Sequence, residues 1–410
     1  PVANIYRNAI DLNRFSNAVA KQIVRDYNAI ILSAVDDLKR IDFGEATAGA
    51  GIVSPQSVQA QRLRVILAQL KESLDSWAGR NTAYVATELQ GLAELQTEFV
   101  TEQLRLAIEG GQVGARGIEP SVVAQQAVRT VEVSPNFAST VATVDPTDFN
   151  FTLPGTGGFN LTAAQGSAIT LPNGEVVSKA FRGLAESQAQ RFNAIVRTGL
   201  LTGEPTPQIA RRMIGSLDFG QLAKTARQQA LAGGELTRVA DHQVLTIVRT
   251  SVQQVANEAS QQVYRANEDV TQKYQYLATL DSRTSAICRS LDGKTFKYGD
   301  GPTPPVHFNC RSTTIPVIDY RALGLRPPEE VIGPARRAAA GGQVSAETNY
   351  AKWLRDRPEV QREIFGSKQP YYTMLADKYG PEGALSKMVR DDGSEVTLKQ
   401  LQNRYGKPAA

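Results

Sequence analysis

The chain has 410 residues, 41% of them apolar and 21% charged, with a net charge of +4. That length allows roughly two to four domains, and the balance is that of an ordinary globular protein, too weakly basic to announce a nucleic-acid binder. No run of about 18 apolar residues occurs, which excludes an evident membrane-spanning helix.

Residues 5–41 are expected to form one long amphipathic helix, with Phe15, Val19, Ile23, Tyr27 and Ile30 at spacings of three and four. A small-residue loop at 44–55 follows. Residues 57–108 read as two further helical segments, broken at Gly79-Arg80-Asn81 and ended by Gly110-Gly111. Residues 1–110 are therefore expected as a long-helix bundle. It either closes its own core or docks against other helices in an assembly, and its isolated large apolar residues tilt the reading toward docking.

From 111 to 177 the composition shifts to Thr, Val, Gly and Pro. This stretch is expected as an irregular insertion or arm that orders on a partner, closed by an Asn-Gly turn in LPNGEVV. Helices are expected again at 178–200, at 206–215 with Pro207 in the first turn, and at 235–267. Strands are expected at 273–280, 293–299 and 312–318. The core at 178–320 should thus be α+β, mostly helical, with helices against a small sheet. A Pro/Gly/Ala linker at 321–344 leads to a helical tail at 345–410, where Trp353, Leu354, Ile364 and Phe365 read as one apolar helix stripe that must dock somewhere.

Both cysteines and one of the two histidines fall within Asp281–Arg311, DSRTSAICRSLDGKTFKYGDGPTPPVHFNCR. Cys288, His307 and Cys310 offer two thiolates and an imidazole, the donors zinc prefers. Asp281 and Asp292 are the nearest candidates for a fourth ligand. The alternative is a packed corner, with both cysteines buried as small hydrophobes and His307 bonded to a carbonyl; with three ligands evident, that reading carries more weight. The N-terminus lacks a charged region followed by an apolar block, so no secretory signal is expected. Synthesis in a reducing cytoplasm favours free thiols or metal ligation over a disulfide. His242, beside Asp241 on a helix, reads as a surface or satisfied core residue.

The turn Asp281-x-Arg283-Thr284 can cap itself, with Arg283 free to pair with a carboxylate. Asp292-Gly293 reads as the tip of a hairpin. Arg249 is expected to tie helix to sheet through Asp281 or Asp292.

The order D-x-R-T, Cys288, LDGK-x-F and PP-x-H-x-N-C-R, ending at Arg311, resembles the signature of the phage Mu F-like minor head protein family, the head morphogenesis proteins. IVRTSVQQVANEASQQVYR upstream and NYAKWLRDRPEVQREIFG downstream are similar to its flanking segments. The resemblance covers roughly 180–405, best at 245–318, and leaves the first third and the 131–175 region uncovered. Many members carry C-R-C where this chain has Cys310, Arg311 and Ser312. The family implies a virion protein without turnover, made in the host cytoplasm, acting in head assembly beside the portal. Its implied partners are the portal protein or major capsid protein, and packaged DNA. Two other classes stay open: a zinc hydrolase or nuclease using Cys288, His307 and Cys310, although no H-E-x-x-H pattern is present, and an ADP-ribosyltransferase-linked effector, for which Arg311-Ser312-Thr313-Thr314 and Gln361-Arg362-Glu363 mimic the pieces.

Overall fold

The computed structural model of the chain describes residues 2–41, 58–133, 160–161, 171–222, 232–328, 336–340, 342–345 and 347–408. The 44–55 loop, most of the irregular stretch before 171 and the 329–335 part of the linker lie outside them. In chain order the elements are α1 (Val2–Lys39), α2 (Val58–Glu109), α3 (Pro120–Ala127), β1 (Glu132–Val133), β2 (Asn160–Leu161), α4 (Val177–Leu201), α5 (Thr206–Ile214) and α6 (Glu235–Ala266). Then come β3 (Thr271–Leu277), α7 (Ala286–Leu291), β4 (Thr295–Lys297), β5 (Thr313–Ile318), β6 (Arg336–Ala339), β7 (Gly342–Ser345), α8 (Tyr350–Arg355), α9 (Pro358–Phe365), α10 (Gln369–Lys387) and α11 (Leu398–Tyr405). The class is α+β and mostly helical.

The first helices do not close a core by themselves. Val19, Ile23, Tyr27 and Val35 of α1, Leu74, Trp77 and Val85 of α2, Phe181 and Phe192 of α4 and Val244, Val248 and Val255 of α6 all belong to one buried apolar cluster. Trp77 is its hinge-pin. Its ring meets Tyr27 at 5.6 Å and Phe181 at 5.8 Å, both edge-on, and its indole N–H donates to the Ile23 carbonyl at 3.1 Å. Burying such a ring adds several kcal/mol of apolar transfer, and edge-on pairs add about 1 kcal/mol more. A polar thread crosses the same cluster: the Tyr27 hydroxyl donates to Gln188, and the Gln188 amide donates to Gln243.

The break expected at Gly79-Arg80-Asn81 does not occur, and α2 runs unbroken for 52 residues. A mid-helix glycine costs about 1 kcal/mol. Trp77, Ala78, Asn81 and Val85, all buried on either side of it, hold the helix together, and the Asn81 amide donates to the Trp77 carbonyl. Tertiary packing outweighs the local signal.

The sheet has order β4-β3-β5, antiparallel throughout, with Tyr274 opposite Phe296 and Pro316. Helix α6 holds its β5 edge. Gln253 donates to the Ser312 carbonyl, Gln261 to the Thr314 hydroxyl and Tyr264 to the Thr314 carbonyl. The sheet therefore cannot slide on α6 without leaving buried polar groups unmet.

The end of the chain packs back on this core. Part of the expected linker is a hairpin, β6 against β7, joined to the core where the Ala340 N–H meets the Leu280 carbonyl. The apolar stripe expected on one helix is split between α8 and α9. Trp353, Leu354 and Phe365 fill a second cluster with Tyr372, Leu385, Val396 and Leu280. The Gln361 amide joins the two helices by donating to the Leu354 and Arg355 carbonyls, so it serves packing.

Candidate metal centre and the groups around it

Three short segments bring the cysteines and His307 together. Strand β3 ends beside α7, whose N-cap Ser285 places Cys288 in the first turn. The second approach carries a cis Pro304–Pro305 bond and then a tight turn closed by the Cys310 N–H on the His307 carbonyl. Asn309 takes a left-handed φ of 57° in that turn, which asparagine tolerates better than most residues. Its backbone N–H and side-chain amide donate to Thr250 and Thr246 of α6, so the turn is clamped to the long helix.

The sulfurs of Cys288 and Cys310 stand 3.7 Å apart, and Cys288 Sγ lies 3.2 Å from His307 Nε2. All three donor atoms fall within 4.8 Å of one another. Zinc with Zn–S bonds of 2.3 Å separates two tetrahedral sulfurs by about 3.8 Å. The imidazole is oriented too. His307 Nδ1 sits 2.8 Å from the Phe308 carbonyl, which can only accept, so Nδ1 carries the proton and the Nε2 lone pair faces the sulfurs and the Ser285 hydroxyl.

The thiols are unequal. The hydrogen bond from Cys288 pulls Cys310 well below an ordinary thiol pKa; burial opposes this and His307 assists it. Cys288 moves up, through the same bond to Cys310 and then through burial. The neighbouring Cys310 raises His307 against the effect of burial. One thiolate held beside an imidazole lone pair is a donor set fit for a soft cation. Ala278, Ile287 and Phe296 wall the corner with apolar surface, while the Tyr276 hydroxyl sits 3.2 Å from Cys288 Sγ.

Neither carboxylate proposed from the sequence as a fourth ligand belongs to this group. Asp281 takes both Arg311 guanidinium nitrogens, at 2.6 and 2.8 Å, and also accepts from Thr284 and from the Arg283 backbone N–H. Burial would raise its pKa, but those bonds and the charges of Arg311 and Arg283 hold it below the usual carboxylate range. Asp292 is not a hairpin tip. It ends α7 as a fully buried carboxylate and accepts from the Ala278 and Tyr350 N–H groups and from Arg337, while Gly293 turns the chain into β4 at φ 82°. Arg249 does not tie helix to sheet through either acid; it donates twice to the Asn17 amide oxygen of α1. Burial, and then the charges of Arg283 and Arg311, lower its pKa. Arg337 was missed because nothing in RRAAAGG marks a buried arginine. Asp292, an apparent turn residue with a turn's composition, hid its partner.

Residues 190–315 match the profile of the family described as Phage Mu protein F like protein. A relative from Haemophilus influenzae, described as an uncharacterized protein, is 29% identical over 196 residues. The match covers 43% of this chain and 41% of the relative, so the chain spans well under half of that protein's length. No solved structure matches. The matched segment, residues 190–315, holds α6, most of the three-stranded sheet and the Cys288–His307–Cys310 corner, and over that segment the chain is similar to the Mu F-like phage protein family.

Proposed function

We propose that the chain is a minor structural protein of a tailed-phage head, acting in assembly near the portal vertex against the portal or major capsid protein. A role in DNA packaging or ejection belongs to the same reading. Zinc held by Cys288, His307 and Cys310 serves here as a cross-link between α7 and the His307 turn. The observation that carries this reading is the state of the neighbouring acids. A hydrolytic zinc needs a carboxylate or comparable base aimed at its open position, and Asp281 and Asp292 are both saturated by arginine and backbone donors. Both sulfurs are also buried, Cys288 at 1% and Cys310 at 3% exposure. Among the described residues, Gln361 is spent bridging α8 and α9, which disfavours the transferase reading. Crosslinking mass spectrometry of assembled heads tests the proposal. Crosslinks from α1 or α2 to portal or major capsid protein are expected, and crosslinks confined to the chain itself would refute it.

A further inference from the structure

Behind the metal corner lies a cleft of about 370 Å³ between α1, α6 and the turn carrying Asn309. Arg249, Arg283 and Arg311 line it, and Leu12, Val252 and Leu277 contribute buried apolar surface to its walls. Among the described residues, one carboxylate, Asp281, lies within ion-pair distance of any of the three guanidiniums, and it serves two of them. Arg249 has a neutral amide, Asn17, as its hydrogen-bonded partner, and Arg283 is 82% exposed. Three guanidiniums set against Asp281 and the Cys310 sulfur, which also lines the cleft, leave it net positive. Like charges gathered around an apolar concavity repel one another unless an anion joins them.

We propose that this cleft binds an acidic peptide segment of a protein partner, with a carboxylate side chain seated among Arg249, Arg283 and Arg311. Guanidiniums take carboxylates with two parallel hydrogen bonds; Arg249 is held by the Asn17 amide oxygen and Arg283 meets Asp281 only at 3.8 Å, so both can still offer donors to an incoming carboxylate. Leu12, Val252 and Leu277 suit the aliphatic stem and backbone of a peptide. A duplex does not fit a concavity of this size, and a phosphodiester strand gains little from an apolar wall. Binding of such a segment does not depend on a role in head assembly.

Fluorescence anisotropy of the full zinc-loaded chain with a labelled hexaglutamate peptide tests it, with hexaglutamine and hexathymidylate as comparison probes. Saturable binding of hexaglutamate, weakening with salt, and none of hexaglutamine are expected. Arg249→Gln should weaken it about tenfold, the scale of one charge-assisted hydrogen bond, and Arg283→Gln by roughly threefold. Arg283 is at the surface, so its substitution leaves the fold intact and keeps the test meaningful if Arg249→Gln disturbs α1. No saturable binding, binding indifferent to both substitutions, or tighter binding of hexathymidylate sensitive to them would overturn the proposal.

Discussion

Arg337 of the β6–β7 hairpin is buried against Asp292 of the core, with guanidinium nitrogens 2.5 and 2.9 Å from the carboxylate and side chains 1% and 0% exposed. The carboxylate also accepts the Ala278 and Tyr350 N–H groups at 2.6 Å each, and Arg337 donates to the Thr348 and Ala278 carbonyls. One ion pair thus joins the sheet, the hairpin and the first turn of α8. Tyr350 adds a second tie, its hydroxyl donating to the Asp281 carbonyl at 2.7 Å.

Removing one partner of such a pair strands a buried charge. Arg337→Met should cost about 3–5 kcal/mol, and Asp292→Leu a similar amount. The double substitution should recover most of the loss, because two apolar side chains replace two desolvated ions. Urea unfolding of the three variants checks this. A double variant as unstable as the sum of the singles would contradict it.

Trp77 joins three helices. Trp77→Ala should destabilise the chain by about 3–5 kcal/mol, whereas Leu95→Ala, at a position 67% exposed on the same helix, should change little. Thermal melts of the two variants give the comparison.

Asp241 sets a pH dependence. Burial raises its pKa from 3.8 to about 6, and the nearby Asn28 amide offsets part of this without closing a hydrogen bond of normal geometry. An acid whose folded pKa is raised favours folding while it is protonated. Below about 4 both states are protonated; between about 4 and 6 the unfolded state ionises first, and stability falls as pH rises. The loss reaches roughly 2–3 kcal/mol by pH 7. Asp241→Asn should remove that slope and be the more stable protein at pH 7. Chemical denaturation from pH 4 to 7 measures it, and equal slopes for the two proteins would refute it.

Purified chain should carry one equivalent of zinc by elemental analysis, lost in Cys310→Ser and in His307→Ala. Chelation should lower the melting temperature. Ser312 is buried close enough to the thiols to oppose the upward shift of Cys288, so Ser312→Cys should add a donor and slow zinc loss to chelator. Stoichiometric metal in the Cys310→Ser protein would place the ion elsewhere.

Helices and strands with strong periodicity were legible in the sequence: α1, α6 and the three strands stand close to where spacing and alternation put them, and the Asn173-Gly174 turn closes with Gly174 at φ 80°. Long-range pairing was not legible. Arg249 finds Asn17, 232 positions away, and Asp292 finds Arg337, 45 away, because only the fold decides which polar groups share a buried space. The tail illustrates the same limit. Its apolar residues demanded a partner, but that the partner would be Leu280, just beyond this chain's own strand β3, was not written in any local pattern.

If the chain works by position inside the phage head, as proposed, it must be found in the finished particle. Quantitative mass spectrometry of purified heads, set against the cleared lysate, measures this. The account predicts the chain in the particle fraction at a small fixed ratio to portal protein, with Cys288→Ser/Cys310→Ser folded less stably and depleted from particles. Particles free of the chain, with all of it left in the lysate, would contradict it.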